Sequence, residues 1–190
     1  VATDRPLNEG ENTPEIAEMA GPYSRSKWLA DRLCREEKDL DVISLYPTVP
    51  VGEGDDAMTA PSAMLEMFLN APPPAYLPTL LNYVPVSDVA RAHVLAAQKA
   101  PTGARYLIAG EDWTMEQIFN LVAGFSRKPM PKRRIPYALA RLSASVSESL
   151  ARVTGKAPMA TIEGVRFAKN PWLMDASHAR TELGLSLIHI

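Results

Sequence analysis

Cysteine is nearly absent from this 190-residue sequence: Cys34 stands alone, so no intrachain disulfide and no cysteine-held metal cluster can form. That scarcity fits a reducing cytoplasm, and Cys34, inside a helical run, is expected to be a small packed side chain. Histidine is scarce too, at three residues. No second His or Cys lies at metal-ligand spacing from His93, so that ring is expected to be packed or bonded locally, and no metal is expected. Neither sign of charge dominates. Lys plus Arg number 20 against 22 Asp plus Glu, a balance that creates no overall field for nucleic acid or anionic lipid. No apolar run is long enough to span a bilayer, and the opening "VATDRPLNEGEN" has neither the basic start nor the apolar middle of a signal peptide. What remains, 46% hydrophobic and 22% charged, is the mix of a soluble globular domain able to bury a core. The first residues read as the interior of a loop and the last, "LGLSLIHI", as an abrupt apolar stop, so a fragment is expected.

Local patterns alternate between helix and strand. Pro22, suited to a first turn, opens an amphipathic run that predicts a helix over 22–38. "DVISLYP" (41–47) has the β-branched and aromatic content of a short buried strand. "PSAMLEMFLN" (61–70) reads as a helix, and "PPPAYLPTLLN" (72–82) as an irregular, cleft-lining stretch whose prolines oppose regular structure. "YVPV" (83–86) reads as a strand running into a helix over 87–100, where Ser87 is the expected N-cap and Val89, Ala92, His93 and Ala96 share a face. "ARYLIAG" (104–110) is a further buried strand. Thr114 caps the helix after it, with Glu116 or Gln117 near the capping-box position. A basic, proline-punctuated linker (127–136) leads to a long helix in which Leu139, Leu142, Val146, Leu150 and Val153 recur at three- and four-residue steps until Gly155. Core packing is the expected role of that stripe; docking to a membrane surface with Arg133, Arg134 and Arg141 is the weaker alternative. Asp175 is expected to cap a short helix ending at Gly184.

The chemistry concentrates in "GPYSRSKWLAD" (21–31). Four helical residues advance about 6 Å and turn slightly more than once, so Tyr23 and Lys27 project from one face. A phenol beside a cation is favoured as phenolate, closer to the range where a general acid or base works best. The ammonium has further protons to offer the ribose hydroxyls of a nicotinamide cofactor. Taken alone, a polar pair at this spacing is also what a solvated helix face carries.

In context the pair gains meaning. "GPYSRSKWLADRL", "DVISLYPTVPVG", "NYVPVSDVARAHVLA" and "GARYLIAGEDWTMEQI", in that order, resemble the extended short-chain dehydrogenase/reductase superfamily in its NAD-dependent epimerase/dehydratase branch. Within it the sequence is similar to hopanoid-associated sugar epimerases and to dihydroflavonol reductases. The resemblance implies an α/β fold: the C-terminal part of a Rossmann-like parallel sheet (1–110, with a cleft-lining insertion at about 50–82) and a small, mainly helical substrate-binding region (111–190). It implies Tyr23 as catalytic acid/base and Lys27 as its partner on the cofactor ribose, with NAD or NADP as cofactor. Pro47, Thr48 and Val49 are placed beside the nicotinamide, and Tyr76 and Asn82 near the substrate; for Ser87 and Asp88, helix capping is the expected role. Two departures stand out. Tyr46 occupies a position where the family usually has Asn, and the Gly-x-x-Gly-x-x-Gly turn that receives the pyrophosphate at a helix N-terminus is not in the sequence.

These readings imply a cytoplasmic enzyme acting on a small molecule, a nucleotide sugar or another hydroxyl or carbonyl compound. The first expectation is an epimerase/dehydratase using hydride transfer; the alternatives are an NADPH-dependent carbonyl reductase of the dihydroflavonol type and a non-catalytic dinucleotide-binding module. No nucleic acid and no transmembrane segment are expected. A homodimer is expected by analogy in the intact parent, while the 190 residues alone are expected to be inactive and, with strands lacking neighbours, to associate.

Overall fold

The computed structural model describes residues 6–10, 15–156, 158 and 160–186. Its organising feature is a strand that changes partners halfway along. Strand β1 (Ser44–Pro47) pairs in parallel with β5 (Arg105–Ile108), and after the single residue Thr48 the chain continues as β2 (Val49–Val51), which pairs in parallel with β4 (Leu80–Pro85). β6 (Glu111–Thr114) adds to β4 in antiparallel register, with Asn82 opposite Asp112. A third small sheet joins β3 (Ala75–Tyr76) to β7 (Arg133–Arg134) in parallel. The fold is therefore mixed α/β with parallel pairing.

Helix α1 (Pro22–Glu36) starts on proline as expected and ends two residues early. Helix α2 (Ala60–Asn70) follows the fork, and α3 (Val86–Lys99) connects β4 to β5. Ala92 and Ala96 of α3 meet Val84, Tyr106 and Ile108 of the strands, together with Ala179 and Leu183 of the C-terminal helix α7 (Ser177–Leu183). Helix α4 (Met115–Ala123) begins with the expected box: the Gln117 amide donates to Thr114 Oγ1 (3.2 Å) and the Thr114 amide to Gln117 Oε1 (2.8 Å). Its Phe119 meets Phe68 of α2 and Tyr76 edge-on, each with ring centroids 5.0 Å apart. This second core cluster also takes in Tyr83, Met115 and Ile118. Helix α5 (Tyr137–Thr154) and helix α6 (Ile162–Lys169) pack through Ala140, Ala144 and Val165. Gly155 and Gly184 end α5 and α7 with left-handed backbone, at φ 70° and 67°.

Several expectations are corrected. The α5 stripe faces outward: Leu142, Val146 and Leu150 are each about 60% exposed and Val153 is 85% exposed. Small alanines take the inward face because they let α5 and α6 approach closely. Cys34 is exposed, since α1 buries none of its residues. Ser87 does not cap α3; the cap position is Pro85, without a side-chain bond, and Asp88 is instead wholly buried in the first turn. His93 is bonded locally as expected, its Nδ1 2.8 Å from the Val89 carbonyl, but its ring is exposed rather than on the buried face of Ala92 and Ala96. Asp175 accepts from the Ser177 amide at 2.9 Å, but the cap position is Ala176. β4 begins at Leu80, inside the stretch expected to be irregular, while β6 and α6 lie where no element was expected. No described helix is long and apolar enough to cross a membrane.

Candidate active site

Parallel strands direct their carboxyl ends toward one edge, and where neighbouring strands diverge there a crevice opens. Here the divergence is at Thr48. Its amide still donates to Ile108 O (3.1 Å), extending the β1–β5 ladder, while Val49 has already crossed to β4. Asn82 fastens this fork. Its Oδ1 accepts from Thr48 Oγ1 and from the Gly110 amide, both at 2.8 Å, and its Nδ2 donates to Asp112 Oδ1 at 2.8 Å. Gly110 is required at this crossing, because a Cβ there would sit 1.9 Å from the Tyr83 carbonyl oxygen.

Beside the fork opens a cleft of about 680 Å³. Tyr23, Thr48, Val49, Tyr76 and Asn82 all border it; Lys27 and Pro47 do not. Five of the seven residues picked out from sequence thus converge on one cavity although they lie on four separate elements and a connecting residue. Their availability differs. Tyr23 is 63% exposed. Asn82 is buried, and its amide is engaged by protein partners on both its oxygen and its nitrogen. Tyr76 contributes a ring wall, while its hydroxyl donates to Glu116 Oε1 (2.6 Å) and accepts from Arg134 Nε (3.3 Å). Arg134 also bonds Glu116 directly at 2.8 Å. The Tyr76 hydroxyl, chiefly, and Arg134 hold the Glu116 carboxyl below its ordinary value.

Lys27 Nζ lies 5.8 Å from the centroid of the Tyr23 ring, on the same helical face. Among the described residues no carboxylate forms a salt bridge with Lys27.

The start of α1 is held from 140 residues away. The cap residue Gly21 has no side chain to accept the first amides, and Glu163 of α6 does so in its place: Oε2 accepts from the Tyr23 amide (3.2 Å) and Oε1 from the Ser24 amide (2.8 Å) and the Ser24 hydroxyl. A Cβ on Gly21 would lie 2.5 Å from Glu163 Oε2. Arg166 Nη1 donates to Ala20 O at 2.6 Å, securing the residue before the cap. Burial raises the Glu163 carboxyl, but the bonds from Ser24 and Tyr23 and the nearby Arg166 charge outweigh it and leave the group below its ordinary value. No local sequence signal points to Glu163, because its partners come only from tertiary structure.

Tyr46 is also accounted for. Its hydroxyl donates to Asp31 Oδ1 at 2.5 Å, tying β1 to the middle of α1. Burial first, and then the Asp31 carboxylate, raise this phenol. Among the described residues no cluster of three or more His, Cys, Asp or Glu side chains is arranged to hold a metal.

The chain is similar to known proteins over most of its length. A putative dihydroflavonol 4-reductase from Synechocystis sp. is 31% identical over 90% of this chain and 51% of its own length. The sterol demethylase protein B of Methylococcus capsulatus is 28% identical over 86% of this chain and 51% of its own. In fold, the chain is similar to the crystal structure of a nucleoside-diphosphate-sugar epimerase from Pseudomonas aeruginosa, with a TM-score of 0.77 and 22% identity over 98% of this chain and 56% of that one. The chain spans about half the length of the curated relatives it matches. With residues 2–109 matching its family pattern, the chain belongs to the NAD dependent epimerase/dehydratase family.

Proposed function

We propose that this chain supplies the proton-transfer half of an NAD(P)-linked site that interconverts a secondary alcohol and a ketone, with Tyr23 as acid/base and Lys27 as its charged partner. The observation that carries the reading is the Tyr23 phenol standing exposed at the mouth of the cleft with the Lys27 ammonium one turn behind it.

When bound, the nicotinamide accepts or returns the hydride. The residues present fit that end of the cofactor: among the described residues Lys27 has no salt-bridge partner, which leaves its ammonium for ribose hydroxyls, and Thr48 and Val49 border the cleft where the parallel strands end. In the oxidative direction the substrate C–H and O–H bonds break and C=O forms; the O–H proton goes to Tyr23 Oη and the electron pair leaves with the hydride. In the reductive direction Tyr23 Oη gives the proton back to the oxygen. Lys27, one helical turn from Tyr23, is placed to hold the cofactor ribose beside the proton-transfer site. Asn82, Glu163 and Tyr46 position these groups by fixing the fork and the helix.

The same proton device serves an epimerase, which returns the hydride to the other face, and a reductase, which releases oxidised cofactor each turnover. Cofactor absorbance under turnover separates them, because the reductase alone consumes it in step with substrate. In a chain extended to the full length of its relatives, Tyr23→Phe is expected to lower hydride transfer by two to four orders of magnitude with cofactor binding retained. Unchanged transfer would support a dinucleotide-binding module instead. The 190 residues alone, without a glycine-rich turn for the pyrophosphate, are expected to show no turnover.

A further inference from the structure

The cleft itself selects a kind of substrate. Of the described side chains that border it, none is Asp, Glu, Lys, Arg or His. The lining is rich in pliable thioethers, with Met64, Met67, Met115 and Met174, and in aromatic rings, among them Phe167 and Trp172. Thioethers adapt to irregular apolar shapes, and aromatic rings offer flat contact area. Polar groups are few. Thr48 Oγ1 and Asn82 bond each other, the Thr79 hydroxyl donates to the Leu80 carbonyl at 3.4 Å, and the Tyr76 hydroxyl is held by Glu116 and Arg134, which leaves the exposed Tyr23 hydroxyl as the group best placed to receive a substrate oxygen.

A nucleotide sugar carries a diphosphate, and burying its two negative charges calls for guanidinium or ammonium groups or for an open helix N-terminus. Among the described residues the cleft wall provides no such cation, and the N-terminus of α1 already holds the Glu163 carboxylate. Tyr23 also borders a second cleft of about 750 Å³ lined by Arg25, Arg152 and Arg166, but Glu148 and Glu163 line it too, and Arg166 is engaged by Ala20 O. A cavity of about 680 Å³ is of the size that encloses drug-sized ligands. From these observations we infer that the substrate is an uncharged, predominantly apolar molecule with a single reactive hydroxyl or carbonyl, a polycycle or a long chain, whose apolar body fills the cleft while its oxygen meets Tyr23. This rests on the proposed role of Tyr23 only for the orientation of the ligand.

The test measures binding without cofactor, so that it stands apart from turnover. Equilibrium dialysis of the chain against androst-4-ene-3,17-dione, a rigid neutral ketone, and 2-tridecanone, a flexible one, is expected to show saturable binding of at least one, undisturbed by excess UDP-glucose. Phe167→Glu, at a position 47% exposed and therefore tolerant of change, is expected to weaken that binding tenfold or more while the circular dichroism spectrum stays the same. Binding of neither ketone, displacement of the ketone by UDP-glucose, or indifference to Phe167→Glu would overturn the inference. Ketone binding with no Tyr23-dependent hydride transfer would sustain it while removing the proposed function.

Discussion

Glu163 does for α1 what a serine or aspartate at the cap would do, and its removal is predicted to loosen the helix that carries Tyr23. The amides it accepts belong to the second and third helical residues, the usual targets of a cap side chain. Losing a cap costs about 0.5–2 kcal/mol, and a carboxylate at a helix N-terminus adds about 0.3–1 kcal/mol through the macrodipole. Glu163→Ala should therefore cost about 2 kcal/mol, and Glu163→Gln, which keeps one amide-accepting oxygen but no charge, about 1 kcal/mol. The sign of the pH dependence follows from the lowered carboxyl. The folded chain binds this proton more weakly than the unfolded one, so the contribution is fully present above the unfolded pKa of about 4.3 and is lost as pH falls through the lower folded value. Urea unfolding followed by circular dichroism, run at pH 7 and in steps down to about pH 3, should show the gap between Glu and Gln closing with acid. A Gln variant as stable as the parent at pH 7, or a gap that does not move with pH, would refute the assignment.

Two other sites give sharp expectations. Asn82→Ala should cost about 3 kcal/mol, because Thr48 Oγ1, the Gly110 amide and Asp112 lose a common partner at a buried fork; thermal unfolding checks this, and a stable variant that only binds substrate less well would make Asn82 a ligand contact instead. Tyr83→Phe should be neutral or stabilising by up to about 1 kcal/mol, since the Tyr83 hydroxyl is buried without a hydrogen-bond partner among the described residues and burial pushes that phenol up to about 12. A loss above about 1 kcal/mol in denaturant would show that the hydroxyl has a partner after all.

What the sequence discloses here is mostly local. The Tyr23–Lys27 face follows from helical geometry alone, and the Thr114 box and the glycines after α5 and α7 are local devices whose residues fix their own conformations. Periodicity located α5 correctly but not its orientation. Leucine spacing marks a face without saying which side a neighbour approaches, and close contact with α6 selected Ala140 and Ala144. The prolines at 72–78 disguised the entry to β4, and the polar "EDWT" gave no hint of β6, whose pairing with β4 is a tertiary event. Helix α6 is eight residues with a glycine in its first turn, too short to show a clear stripe. The fork at Thr48 and the Glu163 cap depend on partners 34 and 139 or more residues away, a range that no local pattern encodes.

The central claim is that the Tyr23 phenol and the Lys27 ammonium act as one proton-transfer device. The most direct measurement is single-turnover hydride transfer at saturating cofactor, in a chain of relatives' length, for the parent, Tyr23→Phe, Lys27→Met and the double variant. Groups that act as a unit give strongly non-additive losses. The account predicts that the double variant is no slower than Tyr23→Phe, whereas losses that multiply, or a Tyr23→Phe chain transferring hydride at the parent's rate, would contradict it.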